Sequence, residues 1–303
     1  MQVKLSQILS SLESGGRPKG GASLENKGIP SLGVEHLDGN GGFNFKTVKY
    51  IPEEFFNSLK NGIIGKENIL IVKDGATTGK VSFVTDEFPF DKAAVNEHVF
   101  LLKVNKSKAN PKFVFHYLKC PQGQREIMRD FRGATVGGIS RGFVDYVKLE
   151  LPPLPDQLHI ANLLSKAENL ISQRKESIVL LEDFLKSVFS DLFGNPVTNK
   201  RNFKAVRLKE LTTFLTSGGR GWGEYYSTHG ERFIRSLDVR MNYISNEDAA
   251  FVNPPNNQEA NRTKVQDLDI LLTITGSKIG RVAMVPKHFG TAYVSQHVAI
   301  IRT

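Results

Sequence analysis

Among its 303 residues the chain holds a single cysteine, Cys120. One thiol cannot close an internal disulfide, and the paired-thiol and Cys/His spacings of a structural zinc site are missing with it, so no metal site is expected. Such sparing use of cysteine fits a reducing compartment, and a cytoplasmic location is the expectation. Nowhere do eighteen apolar residues run together, which removes a transmembrane helix and with it a membrane partner. The first sixteen residues have no sustained apolar core and no small-residue cleavage pattern, so they do not read as a secretory signal. Carboxylate clusters and complete cofactor loops are absent as well.

What is present is an excess of positive charge. Forty Lys and Arg against 31 Asp and Glu leave a net charge of +9, which favours a polyanionic partner because basic side chains release counterions from phosphate backbones. A hydrophobic share of 40% is that of a globular chain, and the length suffices for about two domains, each with its own core.

The chain repeats itself. Val3-Lys4-Leu5 followed by Ser14-Gly15-Gly16-Arg17 returns as Val206-Arg207-Leu208 followed by Ser217-Gly218-Gly219-Arg220. Ile29–Val34 returns as Ile234–Val239. Ile69–Val81 returns as Ile270–Val282, with Gly75, Gly79 and Val81 matched by Gly276, Gly280 and Val282. Asn96-Glu97-His98-Val99 returns as Ser295-Gln296-His297-Val298. The blocks keep their order while the offset stays between about 199 and about 205 residues, so a domain has been duplicated. Short apolar runs such as Ile69–Val72 and Val99–Leu102 read as strands, and Phe113–Lys119 and Gln124–Phe131 as helices. Each copy is therefore mixed α and β.

A different kind of segment joins the copies. Leu151-Pro152-Pro153-Leu154-Pro155 forms a stiff elbow, Asp156 sits where an N-cap is wanted, and the helix stops at Gly194-Asn195-Pro196. Between them Leu164, Ile171, Ile178, Leu185 and Leu192 recur every seventh residue, and a second row runs through Ile160, Ala167, Leu181 and Val188, broken by Arg174. That is a coiled-coil seam over roughly 36 residues, or about 54 Å of helix, and it needs a partner helix to be buried. The expected fold is two similar mixed α/β domains, 1–152 and 197–303, separated by a long coiled-coil-like helix in 153–196.

These features together resemble the specificity (S) subunit of Type I restriction–modification enzymes: two Gly-rich modules, the Leu-Pro-Pro-Leu-Pro-Asp-Gln elbow, and the Leu-Phe-Gly-Asn-Pro exit from the helix. Asp156 stands where that family often has Glu. The resemblance implies two target-recognition domains, each reading one half of a bipartite double-stranded DNA site. It further implies a spacer helix that sets the gap and docks methyltransferase (M) subunits, with restriction (R) subunits joining through them. S-adenosylmethionine, ATP and Mg would belong to those partners, and this chain would bind no cofactor and catalyse nothing. Copy one continues for about fifty residues past His98, whereas Thr303 follows His297 closely. Copy two is thus expected to lack its later third and a return helix, and a homodimer that borrows a helix is one outcome.

Candidate DNA contacts follow from residue type and place. Lys73, Thr77, Thr78 and Lys80 lie in or beside one Gly-rich turn, with Lys278 and Arg281 in the matching turn. Arg17, Lys19, Arg132, Arg141 and Arg220 lie in other Gly-rich loops, where guanidinium groups pair with phosphate or guanine. The turn Gly75–Val81 falls one residue short of a phosphate loop and has Val81 in place of Ser/Thr, so nucleotide binding is not expected. Asn253-Pro254-Pro255-Asn256 lacks the aromatic that amino-methyltransferases stack on a flipped base. His98 and His297 are expected to be structural or to touch DNA. The partner-binding helix face is Leu164, Ile171, Arg174, Ile178, Leu181, Leu185, Val188 and Leu192. Two rival readings stay open: a scaffold whose modules bind protein, and a nuclease or methyltransferase in its own right.

Overall fold

The structure is a computed structural model and describes residues 2–133 and 137–303. The chain divides into two compact units, Met1–Ser187 and Val188–Thr303.

The first unit is organised by strands β1 (Gln2–Lys4), β2 (Leu9–Ser14), β3 (Ile29–Leu32), β4 (Lys49–Ile51), β5 (Ile69–Val72), β6 (Val81–Phe83), β7 (Ala94–Val95), β8 (Val99–Val104) and β9 (Lys148–Glu150). One sheet has the order β2-β8-β5-β6, a second β4-β3-β7, and β1 pairs with β9. The central strand β5 is Ile-Leu-Ile-Val and wholly buried, because apolar layers lie on both of its faces. The strand period of two divides it: Ile69 and Ile71 join one core with Phe100 and Leu102, while Leu70 and Val72 join another with Leu101, Leu32 and Val95.

The first of these cores is closed by short helices. They are α1 (Leu5–Ile8), α3 (Pro111–Lys119), α4 (Pro121–Met128) and α5 (Phe143–Tyr146), while α2 (Glu53–Ser58) packs elsewhere. Val114, Phe115, Leu118, Ile127, Phe143 and Val147 lie in the same cluster as β5, β6 and β8. Pro at the first helical position and the Asn110 side chain, which accepts from the Phe113 N–H, start α3 at Pro111, two residues before the start read from the sequence. The β1–β9 pair (Val3 opposite Leu149) ties the chain start to residues just before the elbow.

The long helix α6 runs from Leu154 to Phe193, 40 residues and about 60 Å. It is longer than the sequence implied, and Pro153, not Asp156, occupies the N-cap place: the Pro153 carbonyl accepts from the Asp156 and Gln157 N–H groups. Proline is tolerated in a first turn, where its missing N–H costs nothing, and Asp156 complements the helix dipole there. The far end is as expected, with Gly194 at φ +72° donating to the Ser190 carbonyl.

The second unit adds α7 (Leu208–Leu211), β10 (Phe214–Ser217), β11 (Tyr226–Ser227), β12 (Glu231–Ile234), β13 (Ala250–Val252), α8 (Gln258–Thr263), β14 (Ile270–Thr273), β15 (Val282–Met284), β16 (Ala292–Val294) and β17 (Val298–Arg302). Its sheet β10-β17-β14-β15 repeats β2-β8-β5-β6, and β13-β12-β16 repeats β4-β3-β7 with β11 added at the edge. In both units, a parallel strand pair joins the corresponding strands, β3 to β7 and β12 to β16.

The pairing corrects one block of the repeat. Leu32 lies opposite Val95, and Ile234 opposite Val294. Leu32 therefore corresponds to Ile234, three residues away from the alignment of Ile29 with Ile234 that the sequence invites. Side-chain chemistry agrees: the Gly33 N–H donates to buried His36, and the Arg235 N–H to buried Asp238.

The units differ in how the outer face of the four-stranded sheet is treated. Helices α3 to α5 cover it in the first, whereas Leu215, Val282 and Met284 are exposed in the second. Val3 and Leu5 are buried, while their counterparts Val206 and Leu208 are exposed. Among the described residues, no helix is long and apolar enough to cross a membrane.

Candidate functional site

Two glycine devices recur and shape the same corner of each unit. A Cβ on Gly15 would lie 1.5 Å from the Val95 carbonyl oxygen, and one on Gly218 would lie 2.2 Å from the Val294 carbonyl oxygen. The Ser-Gly-Gly loop thus crosses the end of a parallel strand at a distance only glycine allows. The hairpin turns between β5 and β6 and between β14 and β15 hold Gly75 and Gly276 at φ +94°, and Gly79 and Gly280 at φ +87°. A Cβ added at Gly75 or Gly276 would meet nothing within 4 Å among the described residues, so backbone conformation, not crowding, demands glycine there.

These loops bring sequence-distant polar groups together. His98 Nδ1 lies 2.6 Å from Asp74 Oδ1. Lys73 Nζ donates to the Glu97 carbonyl at 3.2 Å and lies 3.6 Å from Asp74 Oδ2. Arg17 Nη1 faces Glu97 Oε1 at 3.7 Å, and His98 Nε2 lies 3.6 Å from the same oxygen. Beside them is a cleft of about 230 Å³ lined in part by Arg17, Ser31, Glu35, Lys49, Glu97 and His98. Burial raises the Glu35 carboxyl, but hydrogen bonds from Lys49 and backbone together with nearby positive charge outweigh it, leaving Glu35 below the usual carboxylate range. In the second unit Thr275 Oγ1 contacts His297 Nδ1, and Gln296 Nε2 lies 3.1 Å from His297 Nε2.

The structure sorts the residues singled out from sequence. Arg17 lines the cleft and faces the Glu97 carboxylate, Lys73 donates to the Glu97 carbonyl, and Lys19 is exposed nearby in the chain. Thr77 and Lys80 are half-buried on the hairpin, with Lys80 against the Gly39 turn. Thr78 is engaged internally, its hydroxyl donating to the Gly75 carbonyl at 2.7 Å. Arg141 is also engaged, with Nη1 donating to the Leu12 carbonyl at 2.6 Å and Nη2 to Ser14 Oγ at 3.3 Å. Arg132 is largely exposed while pairing at 3.0 Å with buried Asp130. Asp130 is held below its ordinary value: burial raises it, and the Ser140 hydroxyl and N–H together with Arg132 overcome that. The Gly-rich loop between Arg132 and Arg141 includes residues 134–136, which lie outside the described residues. In the second unit Arg220 and Lys278 are exposed and Arg281 is half-buried.

Asp74, Glu97, Glu35 and Lys49 were not found from sequence as members of this corner. The signal available was the returning Glu-His and Gln-His pair; nothing in it shows that Asp74 and Thr275 hold the imidazoles.

On α6, Gln157 explains the elbow. It is buried, its Oε1 accepts from the Asn110 N–H at 2.8 Å, and its Nε2 donates to the Pro152 carbonyl at 2.7 Å. His116 Nε2 meets Ser165 Oγ at 3.2 Å, and Lys119 pairs with Glu168 at 2.6 Å. Beyond these first turns most apolar side chains of the helix are exposed. Leu164, Ile171, Ile178, Leu181, Leu185 and Leu192 are exposed, as is Arg174, and Val188 is half-buried. Leu163, Leu170 and Phe184, exposed at 61%, 59% and 62%, form a third row that widens the apolar face beyond a strict two-row seam.

A family model described as the Type I restriction modification DNA specificity domain matches residues 1–180. The chain is similar to the type I restriction enzyme MjaVIII specificity subunit of Methanocaldococcus jannaschii, with 24% identity over 182 residues, 60% of this chain and 39% of that one. It is also similar to the EcoKI specificity subunit of Escherichia coli, with 23% identity over 263 residues, 82% of this chain and 55% of that one. It thus spans about half the length of these curated relatives. Its fold is similar to that of a type I restriction–modification S subunit from M. genitalium, with a TM-score of 0.59 at 16% identity over 99% of this chain and 71% of that one.

Proposed function

The chain belongs to the Type I restriction–modification DNA specificity family, and from that premise we propose that it reads double-stranded DNA, each module recognising one half of a bipartite site. The observation that carries this is one framework built twice with different side chains at matching places. Gly75 and Gly276 share a φ, and so do Gly79 and Gly280, while the residues around them change from Lys73 and Glu97 to Ile274 and Gln296. A constant scaffold with variable polar tips is what reading two different half-sites requires.

Arg17, Lys19, Lys73, Thr77, Lys80 and Arg132 in the first unit, and Arg220, Lys278 and Arg281 in the second, are the proposed contacts. Most of them meet phosphate, since most protein–DNA hydrogen bonds do. Thr78 and Arg141 serve by holding the hairpin and the Gly-rich loop in shape. Residues 1–152 and 197–303 act as the recognition domains and 153–196 as the spacer.

The three apolar rows of α6 support a helix that faces more than one body: a second spacer helix, and the methyltransferase subunits through which restriction subunits join. The length of α6, about 60 Å, supports its reading as the spacer that sets the gap between half-sites. S-adenosylmethionine, ATP and Mg are assigned to the partners, and this chain to recognition without catalysis in a cytoplasmic complex.

Selection from randomised duplexes with the purified chain tests the proposal. Two short enriched blocks at a fixed gap are expected. Absence of any enriched sequence overturns it, and methylation or cleavage by the chain unaided overturns the non-catalytic assignment. A second copy of this chain on the bare face of α6 is the competing occupant; a monomer by light scattering in the absence of methyltransferase subunits argues against it.

A further inference from the structure

The two recognition corners differ at one place in a way that is chemically informative. Glu97 and Gln296 occupy the same position in the same tight turn: the Val99 N–H donates to the Asn96 carbonyl and the Val298 N–H to the Ser295 carbonyl. The histidine that follows is oriented alike in both. His98 Nδ1 meets Asp74, and His297 Nδ1 meets Thr275, while the Lys73 and Ile274 N–H groups donate to the carbonyls of His98 and His297. Asp74 only accepts, so His98 carries a proton on Nδ1. The contact of Gln296 Nε2 with His297 Nε2 is then a donation from carboxamide to imidazole, which places the His297 proton on Nδ1 too.

With both rings donating from Nδ1, the side chain before each histidine decides what is left to offer. Gln296 spends one N–H on His297 and keeps one N–H and its carbonyl oxygen, a donor and an acceptor. Glu97, a carboxylate, has no N–H to spend on Nε2 of its histidine. Its Oε1 stands between Arg17 and His98, and its Oε2 is sheltered from solvent with no hydrogen-bond partner among the described residues. A carboxylate oxygen without water or donor gains whenever a donor arrives, and the soft terminal torsion of glutamate lets it turn toward the cleft.

We propose that residues 97 and 296 are specificity-determining: Glu97 accepts from the exocyclic amine of a cytosine in one half-site, and Gln296 pairs with the N6 and N7 edge of an adenine in the other. The assignment rests on the DNA-reading function above. An acceptor-only group matches the cytosine amine, and a donor–acceptor group matches the adenine edge. Arg17, already beside Glu97, supplies donors for the guanine opposite that cytosine.

The test is duplex selection with the wild-type chain and with Glu97→Gln and Gln296→Glu, each variant checked for an unchanged melting temperature. Glu97→Gln is expected to change one C·G position to A·T in one block only, with a preference of roughly 10- to 100-fold. Gln296→Glu is expected to make the reverse change in the other block. A folded variant that selects the wild-type consensus overturns the inference, as does one that only weakens binding to all sequences equally. Should one variant fail to fold, the other decides. A wild-type chain that enriches no sequence overturns the underlying DNA-reading function instead, so the two failures are distinguishable.

Discussion

Removing the Gln157 side chain as Gln157→Ala is expected to loosen the joint between the first unit's helices and the start of α6. Gln157 is 1% exposed and makes two hydrogen bonds, with the Asn110 N–H and the Pro152 carbonyl. Truncation strands one backbone donor and one backbone acceptor. Each costs about 1–3 kcal/mol when fully buried, and both partners are half-buried, so about 2–4 kcal/mol in total is the expectation. For a unit of this size that lowers the melting temperature by roughly 5–15 °C. Gln157→Glu keeps the acceptor for Asn110 but sets a second acceptor against the Pro152 carbonyl, and at neutral pH it is expected to be worse than alanine. Thermal unfolding by circular dichroism gives the magnitude, and amide hydrogen exchange locates it in α3 and the first turns of α6. A midpoint within a degree of wild type, with unchanged exchange in those segments, would refute the role given to Gln157.

Further expectations follow from the same geometry. Gly75→Ala places a side chain at φ +94° and should cost about 1–3 kcal/mol, visible in denaturant unfolding; an unchanged midpoint would deny that the glycine is there for its backbone. Lys80→Ala or Arg281→Ala should each reduce the slope of log affinity against log salt by about one, and an unaltered slope removes that residue from the phosphate interface. His116 is held below its ordinary 6.5, chiefly by burial, with Lys119 and Lys112 adding to that and Glu168 opposing it. A depressed folded value means its contribution is complete above 6.5 and is lost as pH falls through the folded value. Wild type should therefore lose more stability than His116→Gln between about pH 7 and about pH 5, and equal losses would contradict this. Ile178→Lys on the bare face of α6 should abolish co-elution with methyltransferase subunits while leaving the melting of the first unit unchanged; undisturbed co-elution places the docking face elsewhere.

The duplication was legible because it is written in glycines. Gly15 and Gly218 are forced by close approach to a carbonyl, and Gly75 and Gly276 by a positive φ, so neither pair can drift without breaking the turn. The strand block Ile29–Leu32 was misaligned by three residues because its signal is weak. The strand is four residues long, and Pro30 corresponds to Arg232, so only the pairing of Leu32 and Ile234 with their parallel neighbours reveals the phase. The helix was legible from its seven-residue apolar period, but its start was not. Asp156 is a favourable N-cap by type, yet the elbow directs the Pro153 carbonyl at the first free N–H groups. Of the candidate site, exposed basic residues were readable from type and loop context. The Asp74–His98 contact and the Arg17–Glu97 pair were not, because each joins segments far apart in the chain. Thr78 and Arg141 are polar residues in Gly-rich loops whose hydrogen bonds close on their own backbone and side chains, a use that composition does not distinguish from ligand contact.

Sequence-selective binding of duplex DNA by this chain is the claim on which the rest depends. Fluorescence anisotropy with a duplex carrying the selected site, against one of the same composition in scrambled order, measures it at moderate salt. The account predicts a preference of about 10³-fold or more that persists as salt is raised, while affinity for both duplexes falls. Equal affinity for the two duplexes at every salt concentration would contradict it.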